Sequence, residues 1–353
     1  MTAGVEGPID SVWFIIVVAK TVLLFAFALV MTLFLIMLER KVLARMQVRI
    51  GPNRAGPNGW LQSLADGVKL FFKEPLMPEQ VDRPLFRMAP LVSLVTALLA
   101  ISVVPLGPPV RLFSRTITLQ LVDLNVGLLL YVAVSSMSVY GIVLAGWSSG
   151  SKYPLIGGVR ASAQLISYEA AAALALLPVF LLSNTLTASG VVAAQGGTYW
   201  GWMPRWYIIP MIVPFLLFVV AGVAETNRAP FDLVEAETEL VGGFHTEYSG
   251  IGFGMFYLAE YVNMVTVSSI ATTVFLGGWQ GPHPNFARPL FGVAWFLAKI
   301  LVILFMFIWI RATLPRFRYD QLMTLGWKFM IPTALVWLLG SSFVIAAQAE
   351  GWF

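Results

Sequence analysis

The chain has 353 residues, of which 58% are hydrophobic and only 11% charged, with a mean hydropathy of +0.82; this excludes an ordinary soluble domain and marks an integral membrane protein. It contains no cysteine, which removes disulfides, thiolate metal sites and cysteine nucleophiles, and its two histidines, His245 and His283, are too few and too far apart for a histidine metal site. The formal net charge of +4 says less than the way the charges are distributed.

A membrane-spanning helix needs roughly 20 mostly apolar residues. Eight stretches qualify, at about 13–38, 86–105, 126–147, 162–183, 207–224, 251–276, 291–313 and 329–348, and together they make a single all-α membrane domain over 1–353. The start is acidic (Glu6, Asp10) and its apolar run is long, so it does not read as a cleavable signal peptide. If the 39–85 loop is inside, sixteen of the 22 Lys and Arg fall on inside segments and four on outside ones, with Lys20 and Lys299 within spans. Positive charge favours the cytoplasmic side, so both termini are expected outside. No internal repeat is evident, and the prolines within spans, such as Pro178 and Pro214, do not form the paired helix breaks of an inverted-repeat transporter.

The first inside loop carries several signals. Glu39-Arg-Lys-Val-Leu-Ala-Arg continues the first helix out of the lipid, and Gly51-Pro-Asn-Arg-Ala-Gly-Pro-Asn-Gly is a run of turn formers. Leu61, Leu64, Val68 and Phe71 then recur at helical spacing, with Gln62, Asp66, Lys69 and Lys73 between them, which predicts an amphipathic interfacial helix over about 58–73. Gly67 in its middle costs about 1 kcal/mol relative to Ala. The second inside loop, 147–160, is short and turn-rich, and the outside loops near 106–125, 184–206 and 277–290 read as connectors.

The inside loop at 225–250 concentrates acid. Glu225, Asp232, Glu235, Glu237, Glu239 and Glu247 face one base, Arg228, with His245 alongside. Pro230 suits a first helical turn, Asp232 followed by Glu235 resembles a capping box, and Gly242-Gly243 would stop a helix begun there. On such a helix Asp232, Glu235 and Glu239 share one face, and Leu233, Ala236 and Leu240 make an apolar stripe. A solvated acidic loop is the plainer reading of the same charges. Two further carboxylates, Glu169 and Glu260, lie inside expected spans, where an ionised group costs several kcal/mol unless paired or watered. Tyr168 and Gln164 beside Glu169, and Tyr257, Tyr261 and Asn263 beside Glu260, offer hydrogen bonds for a hydrated file. Lys20 is expected to snorkel, and Lys299 either to snorkel or to pair with an intramembrane carboxylate. No phosphate-binding loop, nucleophile elbow, metal-ligand cluster or haem-ligand pattern is present. The residues alone therefore suggest a membrane subunit that handles protons, an amphipathic ligand, or both.

The stretches Glu39-Arg-Lys, Gly51-Pro-Asn-Arg, Ala65-Asp-Gly with Lys69-Leu and Lys73-Glu-Pro, Arg160-Ala-Ser-Ala-Gln with Ser167-Tyr-Glu, Ala224-Glu-Thr-Asn-Arg-Ala-Pro-Phe-Asp-Leu with Glu235-Ala-Glu and Glu247-Tyr, and Pro315-Arg-Phe-Arg-Tyr-Asp resemble the H subunits of proton-pumping NADH:quinone oxidoreductases, respiratory complex I, whose mitochondrial counterpart is NADH dehydrogenase subunit 1. The resemblance covers nearly the whole chain. It implies a membrane-arm subunit without a redox centre, beside other membrane-arm subunits and beneath peripheral-arm subunits that carry the terminal iron–sulfur cluster; FMN and the iron–sulfur clusters belong to partners. It implies quinone, ubiquinone or menaquinone, as substrate, and no nucleic-acid partner. Carried over, Arg40, Arg49, Asp66, Lys69 and Arg318 would shape the quinone chamber. Glu225, Arg228, Asp232, Glu235, Glu237, Glu239 and Glu247 would form the coupling loop, and Glu169 and Glu260 would begin a proton path. No catalytic redox residue and no metal ligand is expected. The expected location is a bacterial plasma membrane, with both termini outside. A subunit of a membrane-bound hydrogenase, docking a nickel–iron module, and a stand-alone proton-coupled transporter are the alternatives.

Overall fold

The computed structural model describes residues 10–112, 115–199, 203–234, 237–282 and 288–350. Helix α1 (Ser11–Met46) begins where the Asp10 carboxylate accepts the Trp13 amide at 2.8 Å, and it runs past the apolar stretch through Glu39 because good helix formers follow. A short 3-10 turn at Pro57–Gly59 leads into α2 (Gln62–Phe72), which exposes Leu61, Leu64, Val68 and Phe71, the expected amphipathic stripe. α3 (Arg83–Ile101) starts on an Asp82 cap. A two-stranded hairpin of β1 (Val110–Leu112) and β2 (Arg115–Ile117) precedes α4 (Gly127–Ser148) and α5 (Lys152–Ser183), and Asn184, left-handed at φ 52°, ends α5. α6 (Ala188–Ala194) and a second small hairpin, β3 (Thr198–Tyr199) with β4 (Met203–Pro204), lead to α7 (Ile212–Glu225). The remainder is α8 (Glu237–Leu240), α9 (Gly250–Phe275), α10 (Arg288–Thr313), α11 (Tyr319–Thr324), a π-helical segment at Leu325–Met330 and α12 (Ile331–Ala349).

The protein is an all-α membrane protein. Among the described residues, α1, α3, α4, α5, α10 and the run from Tyr319 to Gln348 are long and apolar enough to cross a membrane. The expected stretch at 207–224 yields the 14-residue α7 only, because 207–211 forms turns instead. α9 is the hub. Every residue from Met264 to Phe275 is buried, although five of them are Ser or Thr. Their hydroxyls reach back to carbonyls one turn earlier, as Thr266 does to Val262, Ser268 to Met264 and Thr272 to Ser268, so polar residues enter the core without orphaned groups. α3 and α4 pack closely at Gly141, where a Cβ would collide with Ser93.

Successive helices sort the connections onto two ends of the bundle. One end collects the loops after α1, α4, α7 and α10, tied by the Asp82 amide to the Ser148 carbonyl, the Leu76 amide to Ser249 Oγ, and the Phe317 amide to the Pro230 carbonyl. The other end collects both hairpins and α6.

Candidate functional site

The chain turns back on itself directly after α7. Thr226 caps the helix, and Asn227 takes a left-handed conformation at φ 51°, which asparagine tolerates better than most residues. That turn throws Arg228 into the bundle, where it is buried at 6% exposure. Its Nη1 donates to Glu39 Oε1 of α1 at 3.2 Å, and its Nε lies 2.5 Å from Glu260 Oε1 of α9, a close charge contact without hydrogen-bond alignment. The guanidinium carbon sits 4.4 Å from the centre of the Tyr261 ring, and the Tyr261 hydroxyl donates to Glu39 Oε2 at 2.6 Å. Arg311, in the last turn of α10, also bonds Glu39. Two carboxylates and two guanidiniums thus offset one another around a buried Glu39–Arg228 pair, with Glu260 half-buried and Arg311 at the exposed edge. Burial alone would lower the pKa of Arg228, but Glu260 and Glu39 outweigh it and raise the value, holding the group charged.

A second cluster lies between α4, α5 and α7. Glu169 on α5 accepts a hydrogen bond from Ser136 of α4. Glu225, expected in the acidic loop, is the last residue of α7, and its carboxyl meets the neighbouring serine, Ser135. Adjacent serines on one helix therefore serve the two acids. Tyr168 and Gln164 do not serve Glu169: the Tyr168 hydroxyl donates to the Leu322 carbonyl at 2.9 Å, and Gln164 Nε2 donates to the Ala224 carbonyl at 2.8 Å. A cavity of about 40 Å³ is lined by one acid of each cluster, Glu260 and Glu225, together with Ser93, Ser138, Asn227, Asn263, Tyr257 and His245 and the apolar Phe244, Phe253 and Phe256. A void of this size, with polar groups in a partly apolar lining, has room for at least one water.

The acidic loop differs from its expected helix. Among the described residues of the expected helix, Glu237–Leu240 is helical, and Leu233 and Val234 form a turn. Asp232 Oδ2 accepts from Arg316 Nη2 at 2.8 Å, 84 residues away. Glu239 pairs with Arg160 of α5 at 2.7 Å. Distant bases therefore offset the like-charge repulsion expected within the loop. Leu233 and Leu240 are both buried, as the stripe predicted. Glu247 is half-buried beside Tyr248, whose hydroxyl donates to the Phe86 carbonyl at 2.9 Å. Glu235, and Ala236 of the expected stripe, lie outside the described residues, as does the side chain of Glu237.

At the junction of α1 and α2, Arg40 Nη1 donates to Asp66 Oδ2 at 2.7 Å, Gln62 adds a bond at 3.0 Å, and Lys69 stands 3.9 Å away. Burial pushes the Asp66 carboxyl up, but the Arg40 and Gln62 hydrogen bonds, with the charges of Arg40 and Lys69, bring it below the ordinary aspartate value. Arg49 is exposed and donates to Gln47, and Arg318 is exposed at the start of α11. Consecutive residues of α1 thus face two ways: Glu39 into the bundle and Arg40 toward α2.

Sequence reasoning missed Glu39, Arg311 and Ser135–Ser136. It also left Lys299 open between two fates, and the structure gives a third. Its ammonium donates to the carbonyls of Leu276, Gly278 and Gln280 at 2.7, 2.9 and 2.7 Å, over the Trp206 ring. It caps the chain leaving α9.

A family model described as NADH dehydrogenase matches residues 19–342 of this chain. The NADH-quinone oxidoreductase H subunit of Frankia casuarinae is 56% identical over 334 residues, spanning 94% of this chain and 72% of that protein. Its counterpart from Frankia alni is 55% identical over the same length, with the same coverage. The match begins inside α1 and ends inside α12, so it takes in both carboxylate clusters and every loop between them, and the chain belongs to the NADH dehydrogenase family of NADH-quinone oxidoreductase H subunits.

Proposed function

We propose that this subunit forms part of the quinone chamber of the oxidoreductase and couples quinone reduction to proton translocation through a row of carboxylates, with no redox centre of its own. The observation that carries the reading is the Glu39–Arg228–Glu260 group, whose Glu260 lines a cavity together with Glu225, the acid that meets Ser135 beside the Ser136–Glu169 pair. Arg40, Asp66 and Lys69, with Arg49 and Arg318 on neighbouring loops, supply polar groups for a quinone head. The exposed Leu64, Val68 and Phe71 of α2 suit an isoprenoid tail or lipid. Reduction of the quinone, ubiquinone or menaquinone, takes up two electrons, delivered from the terminal iron–sulfur cluster of a peripheral-arm partner, and two protons drawn from the chamber. The acidic loop, with Asp232, Glu235, Glu237, Glu239 and Glu247, stands at that end of the bundle and replaces them. A change of charge there alters the balance that keeps Arg228 between Glu39 and Glu260, and the change passes through the cavity to Glu225 and Glu169. The loops on this side face the cytoplasm of a bacterial cell and both termini face outward. The partners are the other membrane-arm subunits and the quinone-module subunits of the peripheral arm.

Glu225→Gln in the intact complex tests the reading. It keeps the shape of the side chain and removes the exchangeable proton. NADH:quinone reductase activity and membrane acidification are expected to fall together by about tenfold or more. Normal values of both, in an assembled complex, would refute the proton path.

A further inference from the structure

Tyr131 lies on α4 one helical turn before Ser135, the residue beside Glu225, and five residues before Ser136, which bonds Glu169. It is 3% exposed, and among the described residues no protein group bonds its hydroxyl. Buried phenol hydroxyls normally find a partner, because the ring is apolar and the tip is not. The rest of the environment is built for such a tip. Tyr131 falls on the same face of α4 as Ser135, and its ring is fixed in the hydrophobic core with Leu128 and Val134. A core position that needed only bulk would take Phe or Leu with no orphaned oxygen. A hydroxyl both donates and accepts, as neither ring packing nor a carboxylate alone can do.

We infer that Tyr131 is a proton relay between Glu225 and Glu169, its hydroxyl forming with Ser135 and Ser136 the α4 wall of a single proton-transfer station. In one transfer the carboxylic acid proton of Glu225 passes to the phenolic oxygen while the phenolic proton leaves for the Glu169 carboxylate. One O–H bond forms on the phenol as one breaks, and the tyrosine is restored when its hydroxyl turns back. A bridging water extends the reach of either hand-off without changing the balance. The inference rests on the proton-path reading above and adds a residue that is not a carboxylate.

The test uses the assembled complex carrying Tyr131→Phe, beside Glu169→Gln and Glu225→Gln. The ring is retained, so the core packing is retained. The expected result is assembly at wild-type level, a turnover reduced roughly three- to tenfold, and a larger slowing in heavy water than wild type shows. A structural role would not move the isotope effect. Unchanged turnover and isotope effect in Tyr131→Phe, with Glu225→Gln inactive, would overturn the relay and leave the carboxylate path standing. Full activity in both glutamine variants would instead remove the path itself. If Tyr131→Phe fails to assemble, 3,5-difluorotyrosine placed at position 131 supplies the measurement. Its more acidic phenol must displace the pH profile of turnover, and an unmoved profile would overturn the relay.

Discussion

At the end of the bundle where α9 finishes, polar side chains are spent on backbone. Lys299 holds three carbonyls, and Gln195, wholly buried, donates to the carbonyls of Thr273 and Val274 while accepting the amides of Tyr207 and Gly277. At the opposite end, polar side chains are spent on one another: Arg228 on Glu39 and Glu260, Asp232 on Arg316, Glu239 on Arg160. Carbonyls and amides neither titrate nor leave, so the first arrangement is a fixed joint. Carboxylates can take up protons and exchange partners, so the second has more than one state available. One fold therefore keeps a rigid end and a responsive end.

The contrast is broken most severely at Arg228. Arg228→Met removes the guanidinium beside the half-buried Glu260 and halves the compensation of the buried Glu39. It is expected to cost about 3–5 kcal/mol and to abolish assembly, seen on native gels and as a lost melting transition. Arg228→Lys is not expected to rescue it, since one ammonium lacks the fork that faces two carboxylates. At the rigid end, Lys299→Met strips three carbonyls of their donor. The expected loss is about 1–3 kcal/mol, measured as a lower melting temperature, with the ratio of protons pumped per NADH unchanged in the surviving complex. A changed ratio would mean that this end is not merely a joint. The smallest effect is expected at Asp66, whose pair with Arg40 is partly solvated: Asp66→Asn should cost at most about 1 kcal/mol and act mainly on the KM for quinone. Because the folded-state pKa of Asp66 is depressed, the stabilisation from this pair is complete above the ordinary aspartate value of 3.8. It disappears as pH falls through the lower value of the folded protein. Limited proteolysis of the α1–α2 junction across acidic pH checks that sign.

Helical stretches were legible from apolar length alone, and so were Glu169 and Glu260, because a carboxylate inside an apolar run stands out. Glu39 did not, since Arg40 and Lys41 follow it and it reads as the first residue of a loop. Its spacing held the answer: Ala28, Thr32, Leu35 and Glu39 all fall on the buried side of α1. On a helix that is apolar nearly all round, no polarity contrast announces which side that is. The distant ion pairs of the acidic loop were hidden for a different reason. A capping box is a local pattern, whereas the partners of Asp232 and Glu239 come from the segment after α10 and from α5. Lys299 escaped because its acceptors are carbonyls freed where the chain leaves α9 through Gly277 and Gly278, both at positive φ, and no composition signal marks a carbonyl.

The length of α1 has a mechanical consequence. Thirty-six residues make a rod of about 54 Å, against roughly 30 Å of hydrocarbon in a typical bilayer. Its apolar portion before Glu39, with Lys20 as its one charge, is itself about 40 Å long, so the surplus is absorbed by leaning of the rod, by snorkelling of Lys20 or by thickening of the surrounding lipid. Glu39 and Arg40 ride at the far end of that lever. A change in lipid chain length alters its pitch, and with it the registration of two adjacent charges that face different parts of the molecule, so membrane thickness becomes a variable acting on the same residues that quinone and protons address.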